Sequence, residues 1–281
     1  MKNHLNNKSL IGLAGHKSIL AKNFIKTYKS QFKFKLYKND INNYKKFKKW
    51  VCQNKDLNYF INFAAMTSVA DCDKNKVKAL LTNYKSVTKM TKIFQTEHLN
   101  NFLYFLSISS SHVFKKSKFL LKEESEKKPD NYYGKVKLLM EKYLLRNINN
   151  FYYQIGVARI FNYHDRKSKK SFFINDIKKK LTDKTKRLNF FNVNTKRDFI
   201  HPNNISTGLK HMLKNKLKGD YNICTGKGTI LKNIILYLNK KNKKKKLIFY
   251  DSVNKDLIGC NKKLLKTGWN IKKKINLNYF E

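Results

Sequence analysis

The sequence predicts an α/β protein, a doubly wound parallel sheet followed by a smaller C-terminal lobe. Three observations carry that expectation. Short apolar runs alternate with amphipathic stretches as far as Asn162, a glycine closes the first of those runs, and the pattern loosens beyond Asn162. In order, "SLIGLAG" is a strand and "SILAKNFIKTYKS" its helix. "FKFKLYK" is followed by "YKKFKKWVCQ", and "LNYFINFAA" by "KVKALLTNYKSVTKMTKIFQ". "NFLYFLSISS" precedes the helix "DNYYGKVKLLMEKYLLRN", and "YYQIGVARIFN" is the fifth strand. Strand then helix, repeated, requires parallel strands joined by crossovers. Further on, "SFFINDIKKKL" and "ISTGLKHMLKNKL" read as helices and "YNICTGKG" as a strand and turn. We therefore expect a nucleotide-binding domain over residues 1–162 and, over residues 163–281, mainly a substrate-binding lobe with segments returning to the first sheet.

The 281 residues suffice for such a core without staples. A hydrophobic fraction of 41% and an aromatic fraction of 14% exclude disorder as a description of the whole chain. With 62 Lys+Arg against 18 Asp+Glu, the formal net charge is +44, which makes nucleic acid an obvious candidate partner. The lysines, however, are spread through every segment, and neither a zinc-finger spacing nor an aromatic RNA-binding signature is present. We expect a generic basic surface and no specific nucleic-acid partner. The densest runs, "NKKNKKKKL" (239–247) and "NIKKKI" (270–275), read as solvated loops or helix ends. Cys52, Cys72, Cys224 and Cys260 form no C-x-x-C pair or His/Cys ligand cluster, so no metal is expected and a reducing compartment suits them. The N-terminus does not read as a signal peptide, and no segment approaches the ~20 apolar residues of a membrane span. A soluble cytoplasmic protein without a membrane partner is expected.

In "LAGHKSILAKNFI", Gly15, Ser18 and Ala21 fall at the spacing G-x-x-G-x-x-G, with small residues where a helix N-terminus would meet a pyrophosphate. An alternative frame, Gly12, Gly15 and Ser18, places a turn glycine inside the strand. A plain strand-turn-helix is the other reading of the same residues. The second strand ends in Tyr37 and Lys38, with Asp40 slightly late for an acid that would hold a ribose 2′-hydroxyl. A cation there suits a 2′-phosphate, so NADP(H) is expected over NAD(H), although Lys38 as an ordinary surface lysine stays open.

Tyr133 and Lys137 stand one helical turn apart and so share a helix face. A cation beside a phenol favours the phenolate, which predicts a Tyr133 pKa below the usual ~10 and a usable acid and base near neutral pH. In so lysine-rich a chain a solvated helix face produces the same spacing.

Taken together, these motifs resemble the extended short-chain dehydrogenase/reductases, the nucleotide-sugar epimerases, dehydratases and reductases. "AGHKSILAKNF" resembles their phosphate turn, "INFAAMTSV" their fourth strand, "LSISSSHVF" their catalytic serine strand and "YYGKVK" their Y-x-x-x-K. "ARIFN", "KRDFIH", "GDYNICTGKGTILKNI" and "LLKTGW" continue the series in order to the C-terminal end. The resemblance implies a Rossmann-type fold. It implies cofactor contacts from Gly15, His16, Lys17, Ser18, Ile19, Leu20, Lys38, Asp40, Ile41, Ala64 and Ala65, and from Tyr133 and Lys137. It makes Ser110 the hydrogen-bonding partner of the reacting sugar oxygen, Tyr133 the proton donor and acceptor, and Lys137 the holder of the nicotinamide ribose. Ser110, Ser111, Asn162 and Arg197 become substrate contacts. For Arg197 an ion pair with neighbouring Asp198 is the rival, and His201 is expected to cap a turn or pack. A homodimer and a place in polysaccharide biosynthesis are also implied.

Departures from the family pattern bear on the reaction. Where 4,6-dehydratases carry acidic residues after the catalytic Ser/Thr, this chain has Ser111 and His112. His112 falls where a branch of the family places an acid/base residue, and a satisfied, non-catalytic histidine is the alternative. The expectation is an NAD(P)-dependent nucleotide-sugar oxidoreductase, a 4-keto sugar reductase or 4-epimerase. A GDP-mannose-type 4,6-dehydratase and a nucleotide-binding protein with degraded catalysis are the alternatives. The segment between Asn162 and Arg197 is short and rich in lysine and serine, leaving the nucleotide base open.

Overall fold

The computed structural model describes residues 9–166, 173–183, 187–241, 245–251 and 256–281. The first half runs β1 (Leu10–Ala14), α1 (Ile19–Tyr28), β2 (Lys33–Tyr37), α2 (Tyr44–Cys52) and β3 (Tyr59–Asn62). Next come α3 (Val69–Lys74), α4 (Lys76–Leu80) and a π-helical turn (Leu81–Lys85) leading into α5 (Ser86–Thr96). β4 (Tyr104–Ser110) ends in a 3₁₀ turn (Ser111–Val113) and is followed by α6 (Tyr132–Arg146) and β5 (Gln154–Ile160). The second half holds α7 (Phe173–Thr182), β6 (Arg187–Phe191), β7 (Lys196–Arg197), α8 (Pro202–Lys214) and β8 (Gly219–Ile223). It ends with β9 (Thr229–Ile230), α9 (Leu231–Lys241), β10 (Lys246–Tyr250), α10 (Lys262–Leu265) and a 3₁₀ turn (Leu277–Phe280).

Six strands form one parallel sheet in the order β2-β1-β3-β4-β5-β8. The inner strands β1, β3, β4 and β5 were legible as apolar runs, because a strand covered on both faces is mostly apolar, whereas β2 alternates lysine with apolar residues and β8 was read from the run before its glycine turn. One face packs Phe24 and Tyr28 of α1 and Ile205, Leu209 and Met212 of α8 against Ile11, Leu13, Ile61 and Leu106. The other packs Phe47, Phe94 and Met140, from α2, α5 and α6, against Phe60, Phe105 and Val157. Each such side chain contributes roughly 1.5–3 kcal/mol by leaving water. The chain leaves β1 for β2 on one side and for β3 on the other. That reversal opens a crevice beyond the carboxyl ends of β1 and β3, where ligands of such sheets bind.

A separate apolar cluster joins Ile174 and Ile177 of α7, Leu188 and Phe190 of β6, Ile234 and Ile235 of α9, and Phe280. β6 pairs in parallel with β10, and β7 antiparallel with β9. These four strands were not read from the sequence. The 239–247 run closes α9 and enters β10, with residues 242–244 outside the described set, while 270–275 has no regular structure. Among the described residues no helix is long and apolar enough to cross a membrane, and no group of three or more His, Cys, Asp or Glu side chains could hold a metal ion.

Candidate active site

β1 delivers the chain to Gly15, whose φ of +75° only glycine takes without strain. A Cβ there would lie 2.4 Å from the Ala64 backbone nitrogen, so the turn also depends on its missing side chain to pass the exit of β3. Gly12 lies inside β1, which rejects the alternative glycine frame. Ser18 caps α1, its Oγ accepting the Ala21 N–H at 3.2 Å, and Ala21 and Phe24 are buried. Ile19 and Leu20 occupy the first helical turn, where backbone N–H groups precede the helix's own ladder and are suited to an anion. The Leu20 side chain packs in the core, so only its backbone can serve a ligand.

A cleft of about 280 Å³ opens at this turn, lined by Gly15, His16, Lys17, Lys38, Asp40, Ile41 and Ala64 together with Ala14, Tyr37 and Asn39. Seven of the expected cofactor residues thus converge; Ser18, Ile19, Leu20 and Ala65 lie outside its lining. Tyr37 is a structural residue, its buried phenol donating to the carbonyls of Asp40 at 3.0 Å and Asn43 at 3.2 Å. The Asp40 carboxylate turns back on its own loop, accepting from the Asn42 N–H at 2.8 Å. Lys38 stands exposed on the cleft wall.

The candidate reaction centre is built by β4 and α6. Asn131 caps α6, and Tyr133, Lys137 and Glu141 follow at helical spacing, all three buried. Tyr133 packs with Met66, just past Ala64, and with Cys72. The Tyr133 phenol lies near enough to the Ser110 hydroxyl for the serine to draw its pKa down, and Lys137 Nζ donates to the Ile108 carbonyl at 2.8 Å. The expected acidic phenol is not found. Burial pushes Tyr133 up to about 12, with the Ser110 hydroxyl opposing and Cys72 adding to the rise. Burial also pulls the Lys137 ammonium down to about 8, against the nearby Glu141. Sequence spacing placed the pair on one face, but desolvation is the largest influence on each.

Glu141 fixes the rotation of α6. Its carboxylate accepts from Arg159 Nη2 at 2.8 Å, Arg159 Nε at 3.0 and 3.1 Å, and Ser109 Oγ at 2.5 Å. Arg159, on β5 and fully buried, also meets Asp220 at 2.5 Å and donates to the Glu123 carbonyl at 3.1 Å.

Ser110 Oγ accepts the His112 N–H at 3.3 Å, and the His112 ring stands edge-on to Tyr133 with centroids 5.7 Å apart. Burial takes the imidazole down to about 4, helped by Arg197 and Lys116 and opposed by Asp130. Ser111 is buried in the 3₁₀ turn. Arg197 lies at the same centre, half-buried, its Nη1 donating to Thr195 Oγ1 at 2.6 Å. Asp198 points elsewhere: its carboxylate takes the Thr225 hydroxyl at 2.6 Å and the Thr225 and Gly226 N–H groups at 2.9 Å. An Arg197–Asp198 ion pair is therefore not what holds the arginine. Asn162 bridges to Phe199, and its buried Oδ1 has no protein partner among the described residues. His201 caps α8 through Nδ1, which accepts the Asn203 N–H at 3.0 Å.

The family model described as GDP-mannose 4,6 dehydratase matches residues 7–269. The chain belongs to that family, within the extended short-chain dehydrogenase/reductases. A search of curated proteins gives no match. Among solved structures, RMD from Pseudomonas aeruginosa complexed with NADPH superposes with a TM-score of 0.82 at 18% identity, covering 96% of this chain and 95% of that one. The UDP-glucose 4-epimerase of Thermus thermophilus, in complex with NAD, gives 0.81 at 11% identity, with 97% and 99% covered. DesIV, the dTDP-glucose 4,6-dehydratase of Streptomyces venezuelae with NAD and TYD bound, gives 0.82 at 11%, with 94% and 92% covered. At these identities the likeness is one of Rossmann-type fold.

Within this GDP-mannose 4,6 dehydratase family member, several site residues escaped the sequence. Asn83, in the π-helical turn, clamps the Met66 backbone from both sides, Oδ1 accepting its N–H at 2.8 Å and Nδ2 donating to its carbonyl at 2.9 Å. Such π turns recur at functional sites, but neither turn nor clamp has a local signature. Asn131 was passed over as a helix cap, and Lys116, paired with Asp130 at 2.9 Å, as one lysine among many. The lysine- and serine-rich stretch beyond Asn162 falls partly on residues 167–172 and 184–186, outside the described residues.

Proposed function

We propose that the protein is an NAD(P)-dependent nucleotide-sugar oxidoreductase, a 4-keto sugar reductase or 4-epimerase that prefers NADP(H). The observation that carries this reading is the buried Tyr133 phenol next to Ser110, with the buried Lys137 one turn away, beside a phosphate turn whose glycine admits no side chain. The residues fit a dinucleotide. The Ile19 and Leu20 N–H groups and Gly15 suit its diphosphate, Lys38 and Lys17 a 2′-phosphate, and Ala64 and Ala65 the passage toward the nicotinamide. When bound, the cofactor supplies or takes the hydride.

The chain's own part is proton chemistry and alignment. Ser110, having accepted the His112 N–H, keeps its own O–H for the phenol or the sugar oxygen. Tyr133, held near 12, is protonated at neutral pH and set to donate, which is what an alkoxide formed by reduction requires. Lys137, buried behind it, is positioned for the ribose hydroxyls and for stabilising the phenolate that proton transfer leaves. Arg197 and Asn162 are the substrate contacts, an arginine fork suiting a diphosphate. The family match keeps 4,6-dehydration as a second reading, against which Ser111 and His112 stand where its carboxylates would. We further propose a homodimer through α6 and its neighbours, supported by the exposed Val77, Leu81 and Leu139 on that face, and a cytoplasmic setting.

The test is to denature the purified protein and identify any dinucleotide released, then offer NADPH with GDP-, UDP- and dTDP-linked 4-keto-6-deoxysugars. An empty site and NADPH oxidation by one sugar are expected. Retained NAD would favour the epimerase; tight NADP(H) binding with no sugar consumed would discard the reading in favour of degraded catalysis.

A further inference from the structure

We propose that Asn131 is a positioning residue that fixes His112 in the Nε2–H tautomer, making the imidazole a hydrogen-bond donor to a substrate oxygen and denying it the role of base. The second half rests on the oxidoreductase reading above; the tautomer does not.

Asn131 is pinned at both ends. Its Oδ1 accepts the Gly134 N–H at 2.9 Å, and a backbone N–H can only donate, so that end is the oxygen. The other end is therefore the NH₂, which lies 3.0 Å from His112 Nδ1. Nδ1 must accept, and a neutral imidazole that accepts at Nδ1 carries its proton at Nε2. An imidazolium would set two N–H groups against each other, so the same amide opposes protonation. Gly134 makes the approach possible, since a Cβ there would sit 2.2 Å from the His112 carbonyl oxygen.

The surroundings act in the same direction. Arg197 from β7 and Lys116 from the loop after the 3₁₀ turn disfavour a positive ring, Asp130 alone opposes them, and Tyr133 on α6 is uncharged at neutral pH. A group that epimerises the carbons flanking a ketone must take a C–H proton onto a free lone pair. In His112 one lone pair is engaged by Asn131 and the other nitrogen carries hydrogen. What remains is a donor beside Ser110 and Tyr133, suited to orienting a sugar hydroxyl or ketone. Substrates should therefore keep their configuration at the carbons flanking the carbonyl.

Asn131→Asp is the decisive substitution, because Asp caps a helix as well as Asn yet offers His112 only acceptors. In protein labelled with ¹⁵N at histidine, His112 should show a protonated Nε2 and bare Nδ1, unchanged from about pH 8 to about pH 5. In Asn131→Asp, Nδ1 should be protonated and the ring should titrate. A wild-type His112 that is protonated at Nδ1, or titrates near 6.5, overturns the proposal. For catalysis, turnover of an accepted 4-keto sugar with NADPH in deuterium oxide should place no deuterium on the flanking carbons, and wash-in there overturns the denial of a base. His112→Gln, which keeps an N–H donor, should retain at least ~10-fold more kcat/KM than His112→Phe; equal losses overturn the donor role. The expected tautomer without turnover of any sugar would discard the oxidoreductase reading and the donor role together, leaving the tautomer lock standing.

Discussion

The candidate reaction centre and the proposed cofactor cleft are built on opposite physical terms. Ser110, Tyr133 and Lys137 are buried, with Ser110 accepting the His112 N–H and Lys137 donating to the Ile108 carbonyl. Lys17, Lys38 and Asp40, which would tell one dinucleotide from another, are exposed. Desolvation moves the buried groups far from their ordinary pKa values, whereas water and salt screen the exposed ones. On the proposed reading, chemistry would be set by packing, and cofactor preference by charges that are easily exchanged.

The contrast predicts effects that shrink from the buried side to the exposed. Tyr133→Phe should lower kcat by roughly 10²–10⁴ while thermal unfolding and dinucleotide affinity hold; unaltered turnover would remove the proton donor. Glu141→Gln breaks a buried ion pair and should cost about 3–5 kcal/mol in denaturant unfolding, with α6 loosened and activity reduced. A loss of only a few tenths would mean the pair does not hold the helix.

Lys137 gives the pH test. Its pKa is lowered in the folded chain, to about 8 from 10.5, so between those values the unfolded chain binds more protons and stability rises with pH. The cost of burying the charge is present in full below about 8 and gone above 10.5. Lys137→Met should therefore abolish turnover yet be more stable than the parent near neutral pH, by up to ~3 kcal/mol, with the gap closing as pH rises. A gap that does not change with pH would show that the ammonium is not desolvated. The smallest effect belongs to the exposed side: Lys38→Ala should weaken NADPH about tenfold more than NADH, and less at high salt. Equal losses for both would break the assignment of the 2′-phosphate to Lys38.

What was legible in the sequence follows the same division. The inner strands announced themselves because helices cover both their faces, β2 by its alternation, and Gly15, Tyr133 and Lys137 because turn and helix geometry are local. β6 and β10 hid in lysine-rich stretches with one covered face and a partner some sixty residues away. The sign of the Tyr133 shift was misread, since spacing reports a neighbour and not the loss of water. Asn83, Asn131 and Asp198 act on Met66, His112 and the Thr225 turn, contacts that no window of sequence contains.

β2 is a free margin of the sheet, with β1 on one side and, among the described residues, no strand on the other. Lys33 and Lys35 project from it into water, while Phe34 and Leu36 face the core. A second copy offering the same margin would bring ammonium groups close to ammonium groups, so growth by strand addition at β2 is opposed in a protein otherwise rich in aromatic residues. Charge placed along this margin keeps its unpaired backbone from becoming a template.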